Sequence, residues 1–298
     1  MLQAIVSVTL TTDHLQDTAA IYGRWLGFKP AATGRIPPQL AALWNRPAMG
    51  GKPFQLLQPA SNCGVYLRLI ESVADSSYVA LRDLGWNANE MLARDPEQLA
   101  RSLRTSAFTI VGEPRPLTMN PAVVAMQARG PCGEINYFTR LPGDGRSLLD
   151  CTAESFVDRT FIVVCAATSM ARMSEFYGAT LGLATTDIID ARIELINRAL
   201  DRPIDETRPM RLARVGRDFL IELDEYPSDT AARRWPADNL PAGIGMVSFR
   251  AAPGSGSRLS RLPWLRSPQP IAEPPYGGCH AGVLVGPGGE LVEVISAD

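Results

Sequence analysis

Hydrophobic positions along the chain change period at regular intervals, and each change marks an element. Residues 4–11 form an apolar, β-branched run that predicts a strand. Leu15, Ala19, Tyr22 and Leu26 then recur at helical spacing, with Asp13 placed as an N-cap and Gly27 as the residue that stops the helix. A short amphipathic segment at 38–44 follows, strands are predicted at 64–71 and 84–92, and Asp95-Pro96 opens a helix with Leu99 and Leu103 on one face. Past residue 158 the order begins again. Residues 161–166 read as a strand, Ser169 as a cap, and Met170, Met173, Tyr177 and Leu181 as a buried stripe stopped by Gly182.

The second half echoes the first in residues as well as in pattern. Tyr22/Tyr177, Leu26/Leu181 and Gly27/Gly182 are each 155 positions apart, and Arg46-Pro47 and Arg202-Pro203 are 156 apart. The turn Gly286-Pro287-Gly288-Gly289-Glu290 repeats Gly130-Pro131-Cys132-Gly133-Glu134, again at 156, and both sit inside predicted β-hairpins. Landmarks so widely spread at nearly one offset indicate a tandem duplication. Each half divides once more into strand–helix–strands blocks, giving 1–72, 85–141, 159–226 and 243–296. The polar Pro-Gly-Asp-Gly stretch inside 142–158 reads as the joint.

Composition narrows the classes. Length 298 favours two ordinary domains, and Lys+Arg 29 against Asp+Glu 31 gives no basic surface for a nucleic-acid backbone. The five cysteines are scattered with no CxxC pair, which points to a reduced, cytoplasmic protein without a thiolate zinc site. No leader and no apolar run of membrane-spanning length is read, so no membrane partner is expected. Only two histidines occur, His14 and His280, in a chain whose candidate chemistry would ordinarily draw on imidazole. His14 reads as an exposed residue of the first helical turn.

The helix ending Phe176-Tyr177-Gly178-Ala179-Thr180-Leu181-Gly182-Leu183, its counterpart Ile21-Tyr22-Gly23-Arg24-Trp25-Leu26-Gly27-Phe28, and the closing strand after Gly286 resemble the vicinal oxygen chelate superfamily. That group includes glyoxalase I, bleomycin-resistance proteins and type I extradiol dioxygenases. The resemblance covers nearly the whole chain and implies an α+β fold. It would have four βαβββ units paired into two glyoxalase-like domains, residues 1–141 and 159–298, joined by 142–158. It is specific for the fold and weak for the activity, since one scaffold carries several chemistries.

The resemblance also implies where a metal would sit: on the first strand of each unit and on carboxylates of the last strands. Those places in the second domain hold Ile162 or Val163, residues near Met246, Glu222 and Glu293; in the first they hold Ser7, Arg68, a residue near Trp86 or Asn87, and Tyr137. The imidazoles are missing, so no metal is expected. A divalent metal stays open, with Glu222, Glu293 and His280 as the ligands if one binds.

A symmetric turn about Pro287 and Gly288 would set Glu293 opposite Gly282 and put His280 on the same face, as an acid/base oriented by Glu293. A bulge at Gly289 would break that register. The expected catalytic set is therefore His280, Glu293 and Glu222. Tyr137, Arg68, Ser7 and Met246 are the expected substrate contacts. Cys279 points to the opposite face from His280, which disfavours a dyad.

The reading implied is proton-transfer chemistry of lyase or isomerase type on a small organic molecule, aromatic or polyketide-like, in the second cup. A non-catalytic small-molecule binding protein of the drug-resistance kind is the alternative. An extradiol-type dioxygenase is a second alternative, weakened by the absent histidines. A homodimer is left open as the assembly.

Overall fold

The computed structural model describes residues 1–73, 75, 77–118, 120–145, 147–235 and 239–297. Four βαβββ units follow one another, as the pattern predicts. The first contains β1 (Leu2–Thr12), α1 (Leu15–Leu26), β2 (Lys29–Arg35), α2 (Pro38–Leu43), β3 (Pro53–Gln58) and β4 (Tyr66–Glu71). The second contains β5 (Gly85–Ala93), α3 (Pro96–Leu103), β6 (Thr109–Pro116), β7 (Val124–Arg129) and β8 (Ile135–Arg140). The third contains β9 (Val157–Ala167), α4 (Met170–Met173), β10 (Ile189–Ala191), α5 (Glu194–Ala199), β11 (Arg208–Val215) and β12 (Phe219–Glu225). The fourth contains β13 (Ile244–Ala251), α6 (Gly256–Leu259), β14 (Arg266–Pro270), β15 (His280–Val285) and β16 (Leu291–Ser296). No helix among the described residues is long and apolar enough to cross a membrane.

Local chemistry explains several helix ends. Gly27 at φ +74 closes α1, and the Asp95 carboxylate accepts the Gln98 amide to open α3. The Ser169 hydroxyl caps α4, which widens into a π-helix over Ser174–Thr180. Asp13 is not the cap of α1. That position is His14, exposed as expected, and the Thr12 hydroxyl accepts its amide at 3.1 Å.

The units pair differently from the expected split into 1–141 and 159–298. One eight-stranded sheet runs β14-β15-β16-β13-β1-β4-β3-β2, and the other runs β10-β11-β12-β9-β5-β8-β7-β6. The first unit thus shares a sheet with the fourth, and the second with the third. Each unit closes by a parallel pairing of its first and last strands. Units join where two first strands meet antiparallel, β1 with β13 and β5 with β9. We call the two outer faces the terminal cup (units one and four) and the central cup (units two and three). The residues between β8 and β9 act as more than a tether. Leu141 and Leu149 pack with Leu92, Phe161 and Leu220 across the central sheet. Position 146 lies outside the described residues.

The opposite faces of both sheets share one core with α1, α3 and α4. Two repeated tyrosines cross it. Tyr22 on α1 donates to Glu134 in the hairpin of the second unit, and Tyr177 donates to Glu290 in the hairpin of the fourth at 2.7 Å. These staples account for the repeated turn. A Cβ on Gly130 or Gly286 would sit 1.7 Å or 1.9 Å from the carboxylate oxygen folded over it. The sheets therefore join units across the halves, while the tyrosine staples join units within each half.

Candidate functional site

The two cups present equivalent positions with opposite environments. In the terminal cup Ser7 faces Ser248 across the β1–β13 junction, Ser248 pairs with Glu293, and Arg68 pairs with Thr9, two residues on from Ser7. In the central cup Glu90 faces Ile162 across the β5–β9 junction, Glu90 pairs with Tyr137, and Glu222 pairs with Val164, two residues on from Ile162. The quartets are Ser7, Ser248, Glu293 and Arg68 in one cup, and Ile162, Glu90, Tyr137 and Glu222 in the other.

The terminal quartet is sealed. All four residues are at most 1 % exposed. Glu293 Oε2 accepts from Ser248 Oγ at 2.5 Å and from Arg68 Nη2 at 3.3 Å. Oε1 accepts from Trp44 Nε1 at 2.7 Å and from the Tyr276 hydroxyl at 2.9 Å. Arg68 also donates to Thr9 and Tyr276 and lies 4.9 Å from the Trp44 ring. Burial opposes its charge, but Tyr276 and Glu293 more than offset that and hold the guanidinium pKa up. Burial likewise drives the Tyr276 phenol far up, so it stays a donor. Around this network Leu40, Leu43, Met49, Ile271 and the expected contact Met246 fill the cup with apolar side chains.

His280 does not join it. The Gly286–Glu290 turn is closed by the Gly289 amide to the Gly286 carbonyl at 3.0 Å, with Gly289 at φ +82, a turn followed by a bulge. The bulge moves the register by one. Val283 stands opposite Glu293 and His280 opposite Ser296, so His280 and Glu293 point to opposite faces. Glu222 lies on the other sheet altogether. The expected set of His280, Glu293 and Glu222 is therefore not one site. Ser7, Arg68, Met246 and Glu293 do come together, and Tyr137 keeps company with Glu222 instead.

The central quartet is open. Glu90, Tyr137, Ile162 and Glu222 are all half-buried, so solvent reaches them. Glu90 accepts from Thr139 at 2.6 Å, and Asp224, two residues along β12 from Glu222, points to the same face and is fully buried. Burial pushes the Glu90 carboxyl up to about 7 despite the Thr139 hydrogen bond. Burial, with Asp224 and Glu90 close by, drives Glu222 well above the carboxylate range. Asp224 is raised by burial and eased by Arg208. The Tyr137 phenol is pushed far up by burial and by the three carboxylates. Apolar walls close both ends: Leu81, Ala88, Ile135, Val164 and Leu195 on one side, Leu92 and Leu220 on the other.

Sequence counting placed the second-unit contact near Trp86 or Asn87, but Glu90 occupies it. The β5–β9 pairing carries several register shifts, which a fixed offset from a helix end does not anticipate. Ser248 in place of a residue near Met246 has the same origin. Trp44 ends the predicted amphipathic segment 38–44 as the C-cap of α2, with nothing in the pattern to aim it at the cup, and Tyr276 comes from the segment connecting β14 and β15.

Neither quartet fits a divalent metal. The terminal cup already holds a guanidinium against its one carboxylate, whose two oxygens are both engaged. In the central cup no three Asp, Glu, His or Cys groups among the described residues converge on one point.

No protein-family model matches the chain, and no curated protein matches it in sequence. Solved structures do match its fold. Glyoxalase I from Zea mays aligns with a TM-score of 0.64 over 98% of this chain and 92% of that one, at 16% identity. A putative dioxygenase from Bacillus subtilis aligns with a TM-score of 0.64 over 99% and 86%, at 11% identity. The chain has a glyoxalase-like fold, with four βαβββ units in one chain.

Proposed function

We propose that the protein binds a small organic molecule in the central cup and moves a proton on it by general acid–base catalysis. The supporting observation is the contrast between the quartets: one is buried and internally satisfied, while its equivalent is solvent-reachable and acidic. Glu222 has no hydrogen-bond partner among the described residues and is the base. A desolvated carboxylate with a raised pKa is a stronger proton acceptor than one in water. Tyr137, held protonated, is placed to donate to an oxygen that gains charge as the proton leaves carbon. Glu90, near pKa 7, exchanges the proton with solvent and returns it. The reaction class is proton abstraction next to a carbonyl followed by reprotonation or elimination, an isomerase or lyase reaction. No metal enters these steps.

Deuterium incorporation from D₂O into enolisable probes (dihydroxyacetone, aminoacetone and acetylacetone), followed by NMR, tests this. Wild type is expected to accelerate exchange of at least one probe, and Glu222→Gln to lose about 100-fold or more of that rate. Equal rates for wild type and Glu222→Gln would remove the central cup from the chemistry. Slow exchange with saturable probe binding would favour a binding protein.

A further inference from the structure

We propose that the central cup is a recognition site for a small organic cation, with Glu222 holding its positively charged nitrogen, Asp224 buried behind it as a second negative charge and Tyr137 beside it. This rests on the central cup being the working site, and it adds the charge class of the ligand.

Three acidic side chains, Glu90, Glu222 and Asp224, occupy one face of the central sheet. Among the described residues none of them makes an ion pair. Two arginines of the same sheet pair with other groups: Arg115 bonds Glu194 at 3.3 Å, and Arg208 bonds Asn197 and Glu206, although its Nε is unpartnered and its charge eases Asp224. Glu222 accepts no hydrogen bond from any described residue. Asp224 is fully buried, yet neither of its oxygens has a partner, and the hydroxyl of Tyr226, two residues on, is also buried without one.

Buried carboxylates are ordinarily paired or hydrogen-bonded. The terminal cup shows what this fold does when the same demand is met from within the chain. There a guanidinium stands on Glu293, with Tyr276 and Trp44 around it. In the central cup Glu222 occupies the position equivalent to Arg68, and Tyr137 the position equivalent to Glu293. The acids and the aromatic ring remain, but among the described residues no guanidinium pairs with Glu222 or Glu90, and Arg208 eases Asp224 alone without an ion pair. A ligand ammonium or guanidinium would supply the charge that faces Glu222, with a charge-assisted hydrogen bond to that carboxylate and its apolar part against Val164, Ile135 and Leu81. A single positive charge suits the site better than an anion, since among the described residues Arg208 alone offsets the three acids.

Isothermal titration at pH 8 with three probes of similar size tests the charge class: phenethylamine hydrochloride, 2-phenylethanol and 3-phenylpropionate. Phenethylammonium is expected to bind saturably and at least about 10-fold tighter than the alcohol, with no binding of the carboxylate. Glu222→Gln is expected to weaken it about 10- to 100-fold. That side chain is half-buried with no hydrogen bond to lose, so the fold is expected to tolerate the change. Glu113→Gln, an exposed partner of Arg104, is expected to bind as wild type does.

Equal or tighter binding of the alcohol or the carboxylate would overturn the proposal. So would an absence of binding by all three, or binding of Mn²⁺ alone that Glu222→Gln abolishes. These outcomes are separable from the chemistry. Phenethylamine has no enolisable carbonyl and reads charge recognition only, whereas deuterium exchange reads proton transfer whichever probe binds.

Discussion

Arg68 Nη2 and Glu293 Oε2 stand 3.3 Å apart in the interior of the terminal cup, joining the last strand of the first unit to the last strand of the fourth. Both side chains are almost wholly removed from water, so each charge depends on the other and on Tyr276, Trp44 and Ser248. Breaking such a pair from one side strands a charge in an apolar surround and costs about 3–5 kcal/mol. Arg68→Met is expected to lower unfolding free energy in urea by about that amount. Adding Glu293→Gln to it should recover part of the loss. A single variant within about 0.5 kcal/mol of wild type would show the pair to be structurally idle. Exchange activity per folded molecule should survive in both, because the central cup shares none of these residues.

The tyrosine staples should carry comparable weight. Tyr22 and Tyr177 each donate to a buried carboxylate of the following unit. Replacing either by Phe removes a hydrogen bond to a charged acceptor, expected to cost about 1.5–3 kcal/mol. Because the two staples have no partner in common, the double variant should lose close to the combined amount. Gly286→Ala should be at least as harmful, since its Cβ would lie 1.9 Å from the Glu290 oxygen that accepts from Tyr177. Denaturant titrations of the four variants check this. Unchanged midpoints would show that the turn glycines and tyrosines are not coupled.

Stability should fall as pH rises through neutrality. The Glu90 carboxyl titrates near 7 in the folded chain, against about 4.5 when exposed, so the folded state binds the extra proton between those values. Its contribution is therefore most favourable below about pH 4.5 and is lost as pH climbs to about 7; Glu222 and Asp224, also raised, act in the same direction. After allowance for solvent at a half-buried group, Glu90 alone is worth on the order of 2 kcal/mol. Glu90→Gln should flatten the curve of unfolding free energy between pH 5 and 8 by about that much. An identical slope in wild type and variant would assign the effect to other groups.

The sequence carried the four units because each is written in local signals: a first strand, a helix stopped by Gly27 or Gly182, and a hairpin around Gly130 or Gly286. It did not carry which units share a sheet. All four first strands have an equally free edge, and a duplicated pattern is silent on whether β1 joins β5 or β13. The site was legible only in part for the same reason. Glu222 and Tyr137 were expected in separate domains, although β5 and β9 bring them into one cup. Ser7, Arg68 and Glu293, expected in separate domains, meet through β1 and β13. His280 was misplaced by a single left-handed glycine, Gly289, which turns a symmetric hairpin into a bulged one. Glu90 was missed because bulges in β5 displace it from the counted position.

The crossed arrangement gives the most direct test of the fold. Each half of the chain, 1–145 or 151–298, carries two units whose first strands find their antiparallel partners in the other half. A separated half thus exposes the edges of β1 and β5, or of β9 and β13, both flanked by buried apolar residues. Either half alone is expected to self-associate, pairing these edges with a second copy, or to precipitate. Co-expressed halves are expected to elute as a 1:1 complex by native mass spectrometry, with the Tyr22–Glu134 and Tyr177–Glu290 staples intact inside each piece. Exchange activity should appear only in the complex, because Glu90 and Tyr137 come from one half and Glu222 and Asp224 from the other. A stable monomer of 1–145 with a cooperative unfolding transition would mean that its two units close on each other, and the crossed pairing would have to be abandoned.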